Sequence, residues 1–273
     1  MPWAIALHMK IHPITSASNG LLKTIRGLHQ RAFRRKKGLF LIEGPRAVDE
    51  VFRSGVGVVE VVVSESFLEE GLPEVGHLDF PSISVVDDQL FKGLVTTSTP
   101  CGILALAKMP SFGPADIFAC PSPLILVAHA IQDPGNLGTM MRTALAASAD
   151  GMIATSGTVD PFNPKVVRSA MGALFSLPFL WDISWSETLK LLKEHGVRVV
   201  ACDPEASLKY FDADLTGPLC LVFGNEGQGF SEDLLQDVDQ VVSIPMSAKS
   251  ESLNVAVSAG IVLFAAVEQR QKG

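Results

Sequence analysis

Two short loops hold the side chains best placed for chemistry. Residues 224–229, GNEGQG, set one carboxylate, Glu226, among three glycines. Glycines let the backbone approach a ligand closely, and a single carboxylate then stands at the edge of that approach. Residues 132–138, QDPGNLG, lead into a helical stretch that carries Arg142. Asn136 and Arg142 bring an amide and a guanidinium to one place, although Asn136 is equally a candidate helix cap and Arg142 a candidate solvated side chain. The glycine order G-x-x-G-x-G is not the dinucleotide fingerprint G-x-G-x-x-G, and no Gly-Lys-Ser/Thr follows to make a phosphate loop. Cys101, Cys120, Cys202 and Cys220 lie far apart with no C-x-x-C pair, so neither a zinc site nor a disulfide framework is expected. His129 and His195 read as core or capping histidines, and no metal is expected.

Both loops need strands to position them. Leu219–Phe223 is a short apolar run ending at Gly224, and Leu124–Ala130 is another that ends in the 132–138 loop. A third, Val241–Ile244, ends in Pro245, Met246 and Ser247. All three loops therefore lie at carboxyl ends of strands, where open α/β sheets place ligands. Further strands are predicted at 151–155, 179–183 and 197–202. Helices are predicted at 139–149, 161–174 (with Lys165 and Arg168 on one face), 187–195 and 254–269. The last of these is nearly all apolar and suits packing against several layers or a second copy of the chain. Strands alternating with helices give a mostly parallel sheet covered on both faces.

The N-terminal part reads as a separate small α/β unit. Leu21, Leu22, Ile25 and Leu28 have helical spacing, and a helix over 20–34 would carry Lys23, Arg26 and Arg34 outward. Strands are predicted at 39–42, 56–63, 82–86 and 102–107, and helices at 45–54, 67–71 and 87–93. Between Ala107 and Pro123 stand Pro110, Gly113, Pro114, Pro121 and Pro123, a density that precludes a continuous helix or central strand. The expected division is residues 12–108, a linker at 109–123, and residues 124–273.

With 273 residues, 47% of them apolar, the chain is long enough for two cores. Its longest apolar runs are too short to span a bilayer, no signal peptide is visible, and a reduced cytoplasmic setting is expected. The formal charge of −7 is unevenly spread. Residues 1–50 carry +6 and the remainder −13. That asymmetry suits contact with a polyanion at one end, or simply a solvated helix face.

Three segments resemble the motifs of the SpoU family of RNA ribose 2'-O-methyltransferases, of the SPOUT class. They are QDPGNLGTMMR at 132–142, VFGNEGQGF at 222–230 and IPMSAKSESLNVAV at 244–257. The N-terminal segments NGLLKTIRGL at 19–28, LIEG at 41–44 and TPCGILA at 99–105 are similar to that family's RNA-binding domain, which resembles a ribosomal protein. Ala248 stands where many members carry glycine. The resemblance implies a C-terminal trefoil-knotted, mostly parallel sheet, a homodimer with the site completed across its interface, and S-adenosylmethionine as methyl donor. The donor would meet Gly224, Ile244, Met246 and Leu253. Arg142 would stand at the ribose, with Asn136, Glu226, Ser252 and Asn254 completing the catalytic set.

Methyl transfer to a ribose hydroxyl is a displacement that requires alignment and loss of the hydroxyl proton. Arginine resists deprotonation, so Arg142 is expected to fix the adjacent phosphate and stabilise a developing alkoxide rather than act as the base. Lys23, Arg26, Arg34, Arg35, Lys36 and Lys37 are the expected phosphate contacts. Glu43 is expected outside the site, as an ion-pair partner or a determinant of the first unit's fold. The substrate this implies is structured RNA, ribosomal before transfer RNA. A catalytically silent RNA-binding module of the same fold is the competing reading.

Overall fold

The computed structural model describes residues 10–71, 82–225, 229–247, 249 and 252–272. In chain order the elements begin β1 (Lys10–Pro13), α1 (Gly20–Gly27), α2 (Arg31–Lys37), β2 (Leu39–Glu43), α3 (Pro45–Ser54) and β3 (Val58–Ser64). Next come α4 (Glu65–Glu69), β4 (Ser82–Val86), α5 (Asp88–Lys92), β5 (Ile103–Lys108), α6 (Pro114–Ile117), β6 (Leu124–Ala128) and α7 (Pro134–Ala146). They continue β7 (Gly151–Thr155), α8 (Pro164–Ala170), α9 (Ala173–Ser176), β8 (Phe179–Ile183), α10 (Trp185–Glu194) and β9 (Arg198–Cys202). The chain closes with β10 (Leu219–Phe223), α11 (Glu232–Asp237), β11 (Gln240–Val242) and α12 (Val255–Lys272). The described residues fall into two compact units: those up to Pro110 together with Phe162–Phe175, and Ser111–Pro161 with those from Ser176 onward.

The first unit is a five-stranded sheet in the order β1-β4-β3-β5-β2. Strands β1, β4 and β3 are parallel, and β5 runs antiparallel to both β3 and β2. One face is closed by Leu22, Ile25 and Leu28 against Leu41, Val62 and Leu104. On the other side of β2, Phe40 meets Phe162 and Phe175 at ring-centroid distances of 5.1 and 6.2 Å. Residues 162–175 thus lie between β7 and β8 in sequence yet pack within the first unit. The predicted 161–174 helix is corrected here. It starts at Pro164 behind an Asn163 cap and breaks at Met171 and Gly172, both at positive φ.

The helix predicted over 20–34 is likewise two helices. A side-chain carbon on Gly27 would lie 2.7 Å from the Phe33 ring, so α1 ends where the chain folds back and the ring seats on the glycine. Strand β1 has no signature in the sequence because all four of its residues are exposed and no alternation marks it.

The second unit is a fully parallel six-stranded sheet, β11-β9-β10-β6-β7-β8. Alternate residues of neighbouring strands point to one face. Ile125, Val127, Ile153, Cys220 and Val222 therefore form one core with Ile117, Leu192, Trp185 and Leu235 from α6, α10 and α11. Helices α7 and α12 pack on each other, and α12 also packs on β10. No helix among the described residues is long and apolar enough to cross a membrane.

Candidate active site

The parallel register pairs Val222 with Val127 and Phe223 with Ala128, so β10 and β6 end side by side and release their loops at one place. Gly224 follows at once. A side-chain carbon there would lie 2.8 Å from the Phe230 ring and 3.2 Å from the Gly229 carbonyl oxygen, so a larger residue would require both to shift. A cavity of about 210 Å³ opens beside it, lined by Gly224, Ile244, Met246, Ser252 and Leu253. All four expected cofactor contacts and one member of the expected catalytic set therefore face a single space. Sequence reasoning missed Cys202, Asp203, Pro204, Asn225 and Phe230, which also line it. Cys202 ends β9 and Asp203 and Pro204 follow it, so the rule that found the other loops, ligands at carboxyl ends of strands, had marked their position too. Apolar walls with scattered polar groups suit a small ligand that has a flat apolar part and polar ends.

Helix α7 starts at Pro134, five residues earlier than predicted. Asp133 caps it, accepting a hydrogen bond from the Asn136 backbone N–H at 2.8 Å, and Pro134 sits at its first position. The reading of Asn136 as the cap is therefore corrected. Its side-chain oxygen is used elsewhere, accepting from Asn254 Nδ2 at 2.9 Å. Asn254 in turn caps α12, its Oδ1 accepting from the N–H groups of Ala256 and Val257 at 3.0 and 3.3 Å. One amide pair thus joins the beginnings of α7 and α12. Arg142 lies farther along α7, exposed and outside the cavity wall. Ser252 is exposed at the cavity, and Glu226 and Ala248 lie outside the described residues.

Burial pushes the Cys202 thiol up to about 12, with Asp203 adding to the effect, so this cavity cysteine is a neutral thiol at physiological pH and no nucleophile. Burial also depresses His129. Its Nδ1 lies 3.2 Å from Thr155 Oγ1, and its ring meets Trp185 edge-on at 5.5 Å. His195 Nδ1 bonds the Leu191 carbonyl at 2.8 Å and its ring stacks on Phe118 at 3.9 Å. Both histidines act in packing and capping. No cluster of three or more metal-binding side chains occurs among the described residues.

In the first unit Lys23, Arg35, Lys36 and Lys37 are exposed. Arg26 is half-buried and donates to the Ala17 carbonyl at 2.8 Å. Arg34 is a correction: expected outward, it is 2% exposed. Its Nη1 donates to the carbonyls of Leu28 and His29 at 2.8 and 2.9 Å, groups left open by the end of α1. A guanidinium spent on those carbonyls and enclosed by protein is not offered to a phosphate. Glu43 accepts from the Thr97 hydroxyl and lies 3.8 Å from Arg168 Nη1, as an ion-pair partner within the first unit.

Comparison with known proteins adds to this geometry. Residues 123–264 match the SpoU rRNA Methylase family, and residues 19–105 match a family described as an MRM3-like substrate binding domain. The chain is 33% identical to an uncharacterized tRNA/rRNA methyltransferase of Synechocystis, over 95% of each chain. It is 34% identical to the 23S rRNA (guanosine(2553)-2'-O)-methyltransferase RlmP of Bacillus subtilis, over 92% of this chain and 97% of that one. Among solved structures, the SpoU methyltransferase AviRb of Streptomyces viridochromogenes in complex with AdoMet superposes with a TM-score of 0.85. That match has 28% identity and covers 93% of this chain and 99% of AviRb.

Proposed function

Because the chain belongs to the SpoU rRNA methylase family, and is thus an S-adenosylmethionine-dependent methyltransferase of ribosomal RNA ribose, we propose a role for each group at its site. The observation that carries the proposal is the Asn254–Asn136 hydrogen bond, which ties the start of the arginine-bearing helix to the segment lining the cavity. When bound, S-adenosylmethionine supplies an electrophilic methyl group on a sulfonium centre. Gly224, Ile244, Met246 and Leu253 hold the donor, and the apolar walls around them fit its adenine ring. Arg142 holds the phosphate beside the target ribose and stabilises the oxygen as its proton leaves. Its guanidinium is exposed, as that task requires. Asn136, Ser252 and Asn254 keep the two loops in register, and Glu226 completes the set. The neutral Cys202 thiol takes no part in proton removal.

Lys23, Arg26, Arg35, Lys36 and Lys37 bind RNA phosphates in this reading, with Arg34 left out. The reachable 2'-hydroxyl favours a loop or bulge over a regular duplex. The active form is a homodimer. Val257 and Phe264 lie seven residues apart on α12 and are 51% and 48% exposed, with Leu145 of the adjoining α7 also exposed. Two turns of apolar surface on paired helices suit burial against a second copy. The trefoil knot is part of the same proposal, supported by the return of the chain from edge strand β11 to α12, which packs on β10 and α7. A cytoplasmic location completes it.

The test is transfer of labelled methyl from S-adenosylmethionine to RNA from cells lacking this protein, comparing wild type with Arg142→Ala. The expected product is ribosomal RNA containing alkali-resistant dinucleotides, absent with the variant. Label in transfer RNA alone would redirect the substrate. Donor binding without transfer to free RNA or to ribosomal assembly intermediates would favour a silent binding module.

A further inference from the structure

We infer that Asn225 is a positioning residue: it links the cofactor loop to the helix that carries Arg142 by holding Ala130 in the left-handed backbone region. Ala130 has φ +54°, a conformation that disfavours any residue with a side-chain carbon by roughly tenfold. It persists because its peptide groups are held from two sides. The Ala130 N–H donates to Thr155 Oγ1 at 3.2 Å, and its carbonyl accepts from Asn225 Nδ2 at 3.0 Å. Neither bond belongs to the sheet, since β6 ends at Ala128 and β10 at Phe223. The turn at Ala130 ends the extended path of β6 and seats Ile131, fully buried, against the Val159 backbone. Two residues later Asp133 caps α7.

Asn225 stands next to Gly224 and lines the same cavity. Its side chain therefore joins a loop that meets the cofactor to the turn that launches α7, across 95 residues of sequence. A change in the loop when the donor binds reaches the start of α7 through this amide. The inference rests on the proposed reading of the loop and of Arg142. A primary amide donor at this position does the holding; an aspartate has the same shape and cannot donate.

The experiment measures amide hydrogen exchange over residues 131–142, which needs no enzymatic activity, alongside methyl transfer and donor affinity. Asn225→Asp and Asn225→Ala are both expected to speed exchange in the 131–137 segment by about tenfold, the effect of losing one net hydrogen bond. They are expected to lower kcat by a similar factor. Ala130→Gly added to either variant should restore part of kcat, because glycine adopts the left-handed region without being held there. Unchanged exchange in both Asn225 variants would overturn the inference. So would a defect confined to donor affinity with no recovery from Ala130→Gly. If wild type neither binds donor nor transfers methyl, the methyltransferase reading fails, and the exchange data still decide whether Asn225 holds the turn.

Discussion

Helices α2 and α7 each carry an arginine that the sequence presents as exposed, and the two have opposite fates. Arg142 on α7 is exposed. Arg34 on α2 is enclosed and donates to carbonyls left unpaired at the end of α1. Arg34 belongs to a run of four basic residues, whereas Arg142 is the lone cation of its helix. Charge density in the sequence therefore marked as exposed an arginine that the fold encloses. A cation serves a ligand when the fold leaves its donors unspent, and it serves the fold when helix ends need them.

The contrast predicts separable defects, the largest at Arg142. Arg142→Ala should lower kcat at least about a hundredfold, the scale of losing a group that stabilises developing charge. The melting temperature should stay within roughly one degree of wild type, as for an exposed surface position. Arg34→Ala should do the reverse. Leaving buried carbonyls without charged donors costs about 2–3 kcal/mol, which calorimetry would read as a melting temperature lower by several degrees, with kcat of the folded fraction retained. A loss of RNA affinity by Arg34→Ala at unchanged stability would break the comparison.

Next in size is the exposed remainder of α2. Neutralising Arg35, Lys36 and Lys37 together should weaken RNA binding and reduce the slope of log affinity against log salt by about 2–3, with donor affinity unaffected. Binding titrations at several salt concentrations check this. Within the active site, a double-mutant cycle of Asn136→Ala and Asn254→Ala should give a coupling energy of about 1 kcal/mol in thermal or denaturant unfolding. Additive effects would show that the amide pair does not join α7 to α12.

The smallest effect is a pH dependence at His129. Burial depresses it below the usual 6.5, so the folded state favours its neutral form. Its contribution to stability is then fully present above pH 6.5 and is lost as pH falls from that value through the depressed one. His129→Gln should shrink the fall in melting temperature between about pH 7.5 and 5.5.

The elements themselves were largely legible. Fully apolar runs such as 124–128 and 219–223 are buried strands of the parallel sheet, because a strand covered on both faces has no polar side to show. Some elements were divided or hidden by features that local periodicity does not carry. The Phe33 ring on Gly27 split one expected helix, Met171 and Gly172 divided another, and β1 pairs with β4 through a backbone whose side chains are all exposed.

The sequence by itself determined which residue types stand at the carboxyl ends of the strands, since strand and loop periodicity is local and the family motifs lie within single loops. It placed Gly224, Ile244, Met246 and Leu253 as one set, and they line one cavity. Only the tertiary structure decided how polar groups were spent. Asn136 bonds Asn254, Asn225 holds Ala130, and Arg34 is consumed by the end of α1. The partners in the first two pairs lie 118 and 95 residues apart. A polar side chain bonds whatever the fold brings within about 3 Å, and over such distances along the chain local pattern carries no information about that partner.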